Sequence, residues 1–96
     1  MRGSLSDATG PFWVYILENA SGKFYIGSTE NLVARVALHN DPDRSKSHYT
    51  AKQGPWRLVW SEEHASRSSA VLRERAIKKM KSNKWIREKL LVQAKP

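Results

Sequence analysis

Apolar and polar positions divide this chain into short blocks. After Pro11, Phe12 to Glu18 is rich in aromatic and β-branched residues, which predicts a first strand. Asn19-Ala20-Ser21-Gly22 is turn chemistry, with Gly22 free to take a positive φ. Phe24 to Gly27 reads as a second strand, and so short a connection implies an antiparallel hairpin. The period then changes. At about 100° per residue, Leu32, Arg35, Val36 and His39 share one face of a helix. Ser28 or Thr29 is its expected cap, with Glu30 in the first turn. The helix should stop before Asp41-Pro42, because the residue ahead of a proline avoids the helical region.

Asn40 to Gly54 is polar and long for so small a protein, which makes it a candidate substrate loop. Trp56 to Glu62 alternates again and predicts a third strand. Ser66 caps a helix over Arg67 to Lys81, carrying Ala70, Leu72, Ala76, Ile77 and Met80. Ser82 or Asn83 caps a last helix, Lys84 to Val92, anchored by Trp85, Ile86, Leu90 and Leu91. The expected fold is α+β: a small three-stranded antiparallel sheet packed with three helices. Residues 11–92 form one domain, between a disordered leader over 1–10 and a tail over 93–96.

Ninety-six residues, 40% of them hydrophobic, suffice for one modest core. No apolar run is long enough to span a membrane, and the leader has no signal-peptide core. The chain has no cysteine, which excludes disulfides and thiolate metal sites and fits a cytoplasmic location. Trp56, Trp60 and Trp85 are expected in the core, since a small domain needs large side chains to fill it. Exposed, they would instead form the partner patch of an accessory subunit.

Charge alters the picture more. The net charge is +8, and it is unevenly placed. Up to Ser66, seven basic residues balance seven acidic ones; from Arg67 onward, ten basic residues face two acidic ones. So basic a helical surface is either an electrostatic footprint for phosphates or a solvated helix face.

The candidate chemistry lies in five residues. Tyr15 stands in Trp13-Val14-Tyr15-Ile16, and Tyr25, ten positions later, in Tyr25-Ile26-Gly27. Ten further on comes Arg35, then His39 one helical turn later, and Glu74 follows inside the basic helix. Singly, each has an ordinary explanation: packed strand tyrosines, a surface arginine, a histidine facing a helix dipole, an intrahelical ion pair. In this order and spacing, from Phe12 to Leu91, they resemble the GIY-YIG nuclease superfamily, and within it the small stand-alone endonuclease type. Trp13 stands where the first motif has its glycine. Gly27 is retained, and lacking Cβ it allows close approach of a helix or substrate.

The resemblance implies a metal-dependent endonuclease hydrolysing DNA phosphodiester bonds, with RNA left open. Tyr15 or Tyr25 would orient or deprotonate the water, with Arg35 or metal-bound water favouring the phenolate. Arg35 would also bind the scissile phosphate, and His39 would assist proton transfer or hold a phosphate. Glu74 would carry a single Mg2+ or Mn2+. These five residues must surround one cleft; a Glu74 on the opposite face of the sheet from Arg35 would break that reading. Arg35, Lys78, Lys79, Lys81, Lys84 and Arg87 are the candidate nucleic-acid contacts. His48 and Tyr49 in the loop, and Asn83, nearest to the family's late asparagine, are secondary candidates. No targeting domain is visible, so specificity would come from DNA structure or a partner protein. The alternative is a non-catalytic nucleic-acid-binding or accessory protein that keeps the fold.

Overall fold

The computed structural model describes residues 11–41 and 54–91. Its three strands are β1 (Phe12–Asn19), β2 (Phe24–Thr29) and β3 (Trp56–His64). They form one antiparallel sheet in the order β2-β1-β3. The central place of β1 explains its sequence. A strand paired on both edges and covered on both faces reads as a near-continuous apolar run, and Val14, Tyr15, Ile16 and Leu17 are all buried. The hairpin turn is held by Asn19, whose Oδ1 accepts from the backbone N–H of Ser21 and of Lys23, while Gly22 takes φ 85°.

Side chains alternate along β1, and the two sets meet different helices. Phe12, Val14 and Ile16 pack with Ala70 and Ile77 of α2 (Arg67–Met80) and with Ile86 and Leu90. The last two lie on a π-helical segment, Ile86–Leu91, that continues the short helix α3 (Asn83–Trp85). Tyr15 and Leu17 pack on the other face with Trp56, Tyr25, and Leu32 and Val36 of α1 (Leu32–His39). The sheet is therefore a middle layer, with α1 on one side and α2 and α3 on the other.

The α+β architecture matches the sequence expectation; several boundaries do not. Neither Ser28 nor Thr29 caps α1. Both remain in β2, paired with Val14 and Trp13, and the cap is Asn31, whose Oδ1 accepts from Ala34 N. Glu30 consequently precedes the helix, and the first turn holds no acidic residue. Ser82, not Asn83, caps α3 by accepting from Trp85 N. The last segment widens into π geometry where the sequence suggested a continuous α-helix. Ile86 and Leu90 are buried there, with Trp85 and Leu91 packed at the margin. Trp56 is buried and Trp60 and Trp85 pack against the core, so these tryptophans do not form an exposed patch.

Candidate active site

Tyr15 lies opposite Gly27 in the β1–β2 register. A Cβ built on Gly27 would stand 2.6 Å from the Tyr15 hydroxyl oxygen and 2.8 Å from Cζ. The phenol thus lies across the edge strand, in the space the glycine leaves. The nearest atoms to Gly27 are those of this ring rather than of a helix.

His39, the last residue of α1, meets the phenol: its Nε2 is 3.0 Å from the Tyr15 oxygen. The Tyr25 ring lies 4.5 Å from His39 and 6.4 Å from Tyr15, centroid to centroid. Tyr15 is 1% exposed and His39 5%. Asn40 fixes the end of α1 to the start of β3, donating to Trp56 O at 2.8 Å and accepting from Trp56 N at 2.6 Å. Nothing in the local sequence marks Asn40 for this task; it reads as the first residue of a loop.

Burial decides the protonation of the pair. It pushes the Tyr15 pKa well above that of an ordinary phenol; the Tyr25 and Glu74 charges push the same way, and Arg35 opposes them without winning. The expectation that Arg35 would favour a resting phenolate is therefore corrected: Tyr15 is a neutral hydroxyl at pH 7. Burial, then Arg35, also lowers the His39 pKa, so the imidazole is neutral. In the tautomer with the proton on Nδ1, Nε2 accepts the Tyr15 O–H; in the other, Nε2 donates to the phenol oxygen. Nδ1 is buried without a hydrogen-bond partner among the described residues.

This gives a pH dependence. The unfolded histidine titrates near about 6.5. The folded pKa lies lower, so the unfolded chain takes up the proton first. The contribution is complete above the unfolded pKa and is lost as pH falls towards the folded one. Thermal melting across this range should show that loss, and His39→Gln should flatten it.

Arg35 and Glu74 come from helices on opposite faces of the sheet, the placement named above as breaking a single-cleft site, so the expectation that all five residues surround one cleft is corrected. Ser28, next to Gly27, turns towards α2 and donates to Glu74 Oε1 at 2.7 Å. The Tyr15 phenol, passing over Gly27, feels both Arg35 and Glu74. Tyr15, Tyr25 and His39 thus meet on the α1 face, and Glu74 meets Ser28 from the α2 side, so the five residues do not line one open face. Ser28 is a site neighbour that sequence reasoning missed; it lies 46 positions from Glu74, beyond any local signal. Arg35 is exposed and makes no ion pair among the described residues.

Among the described residues no three His, Asp or Glu side chains gather to hold a metal. A single carboxylate suits magnesium, which keeps most of its waters and takes further oxygens from substrate. Glu74 fits that part: it is 18% exposed, and its Oε2 already faces a cation, Lys78 Nζ at 2.7 Å.

The basic face is less free than its charge count suggests. Arg87 pairs with Glu18 at 3.0 Å and lies over the Phe24 ring. Arg73 pairs with Glu62 at 3.0 Å and lies over Trp60, and Lys84 is 3.9 Å from Glu88. Arg75, Lys79, Lys81 and Lys89 are exposed and in no ion pair among the described residues. Asn83 is exposed at the start of α3. His48 and Tyr49 lie outside the described residues.

Comparison with known proteins agrees with the motif order. The GIY-YIG catalytic domain matches residues 11–88. A UPF0213 protein of Desulfotalea psychrophila is 38% identical over 85 residues, covering 88% of this chain and 74% of its own. One from Lacticaseibacillus paracasei is 39% identical over 67 residues, 70% of this chain and 73% of the relative. Another, from the archaeon Halobacterium salinarum, is 39% identical over 67 residues, 70% of this chain and 84% of its own. No solved structure matches the chain. With a matched catalytic domain over most of its length, an α+β fold of the expected kind and relatives of similar size, this chain belongs to the GIY-YIG family, alongside the small UPF0213 proteins.

Proposed function

We propose that this protein is a divalent-metal-dependent endonuclease that hydrolyses DNA phosphodiester bonds, directed by DNA structure or a partner protein. Family membership supplies the nuclease class. The observation that carries the finer reading is the buried Tyr15–His39 pair beside Gly27, acted on electrostatically by Arg35 and Glu74.

In this reading Tyr15 is not an ionised base but one half of a relay. Substrate binding would have to open the buried Tyr15 oxygen to one water, which gives up a proton there as the phenol passes its own to His39 Nε2. The hydroxide attacks phosphorus, the opposite P–O bond breaks, and the leaving oxygen takes a proton from solvent. Arg35, exposed at the rim, neutralises charge on the non-bridging oxygens with its planar fork. A divalent ion on Glu74 supplies further stabilisation of the charge that develops. His39 must be neutral to accept the proton, so kcat/KM should hold to below the ordinary histidine range and fall only beneath it. Arg35→Ala should move that inflection upward.

Phosphate contacts fall to Lys79 and Lys81 first, with Arg75 beside them. Affinity for duplex DNA should drop by about 0.9 in log K per neutralised phosphate per decade of salt. Reversing the charges at Lys79 and Lys81 should flatten that slope with no change in melting temperature; an unchanged slope would remove DNA from this face. No helix among the described residues is long and apolar enough to cross a membrane.

The second reading, a nucleic-acid-binding protein without turnover, is favoured by one observation: both oxygens of Glu74 are already engaged. Flap, fork, duplex and single-stranded DNA, with RNA counterparts, incubated with Mg2+ or Mn2+, separate the two. Products from a DNA substrate support the nuclease; tight binding with no product on any substrate supports the other reading.

A further inference from the structure

The two bonds to Glu74 differ in kind. Ser28 Oγ donates to Oε1 at 2.7 Å from a strand position fixed by the β ladder, paired with Val14. Lys78 Nζ donates to Oε2 at 2.7 Å from one helical turn further along α2. The Lys78 side chain is 53% exposed and its ammonium sits on a flexible four-carbon stem. One contact is neutral and anchored in backbone; the other is an ion pair that can swing into solvent.

A divalent cation arriving at Glu74 affects them oppositely. A carboxylate oxygen carries more than one lone pair, so Oε1 can keep the Ser28 hydrogen bond. An ammonium held against the same carboxylate is repelled by the incoming charge and competes for the same oxygen. We propose that Lys78 is a resident counter-ion of the metal-binding carboxylate. It occupies Glu74 Oε2 until a divalent cation displaces it, and its freed ammonium then takes a substrate phosphate, while Ser28 holds the carboxylate throughout. This rests on the reading of Glu74 as the metal ligand. The arrangement keeps the carboxylate neutralised without metal and makes metal and DNA binding mutually reinforcing, because the cation releases a group that the phosphate uses.

Mn2+ binding to the metal-free protein, followed without DNA by the electron paramagnetic resonance of free Mn2+, tests it. Lys78→Gln should bind Mn2+ about two- to fivefold more tightly than wild type, the range set by an exposed ion pair. Lys78→Arg, which keeps a competing cation, should stay near wild type, and Ser28→Ala should bind more weakly. Melting temperatures of the same variants verify that each is folded. Equal or weaker binding by Lys78→Gln overturns the proposal. Glu74→Gln separates the two levels: if it binds Mn2+ as wild type does, Glu74 is not the ligand and the underlying reading fails, whatever Lys78 does. In a Tyr15→Phe background, which suppresses cleavage, Mn2+ should steepen the salt slope of duplex binding by about 0.9 more than it does in Tyr15→Phe/Lys78→Gln, where only the ion itself adds a phosphate contact. Equal steepening in both variants, or steepening in neither, overturns the phosphate half of the proposal.

Discussion

Arg35→Ala should cleave about 10² to 10³ times more slowly than wild type in single-turnover assays, while DNA affinity falls far less. The asymmetry is the point. A charge placed where negative charge grows in the transition state lowers the barrier more than it strengthens ground-state binding. Lysine at this position should rescue only in part, because a point charge does not reproduce a bidentate fork. The scaffold explanation has Arg35 pair with a carboxylate such as Asp41 or Glu62, and Glu62 is engaged by His64 and Arg73. Near-normal cleavage by Arg35→Ala with a lowered melting temperature would return the residue to the scaffold.

Gly27→Ala should damage both fold and activity through a single atom. Its Cβ would come within 3.0 Å of the Tyr15 hydroxyl and Cζ, and Tyr15 is fully buried, so the ring has no open space to retreat into. Overpacking of this kind costs about 1–3 kcal/mol. The displaced phenol would leave His39 Nε2, so cleavage should fall by about 10² to 10⁴, the range of a lost acid–base partner. Tyr15→Phe removes the hydroxyl without adding volume: the rate should fall as far, and stability should fall by about 1–3 kcal/mol because His39 Nε2 is left buried without its partner. In a double-mutant cycle with Tyr15→Leu, the alanine should cost much less, because the ring it strikes is gone. Additive losses would mean that Gly27 acts on something other than Tyr15.

The parts of this molecule that the sequence revealed are those whose causes are local. The hairpin follows from Asn19 to Gly22, and the helical face of α1 follows from the spacing of Leu32, Val36 and His39. The cap of α1 was misplaced because Ser28 and Thr29 are good caps in isolation; pairing with β1 holds them in the strand. Motif spacing brought Tyr15 and His39 forward as candidates, but not their mutual hydrogen bond, nor the burial that keeps the phenol neutral. Contacts between distant segments left no trace in any window of sequence: Ser28 on Glu74, Asn40 on Trp56, Arg87 on Glu18. The basic count was correct as composition, yet it could not tell that Arg73 and Arg87 lie over aromatic rings in ion pairs. Nor could it show that Arg35 and Glu74 stand on helices in opposite layers.

In the proposed reaction Glu74 and a divalent ion act together in hydrolysis. The most direct test is single-turnover cleavage of the best DNA substrate by wild type and Glu74→Ala, each with Mg2+ and with Mg2+ plus excess chelator. Cleavage by wild type that disappears both on chelation and in Glu74→Ala, with DNA binding retained, is the predicted result. Cleavage that survives the chelator or the alanine would contradict it.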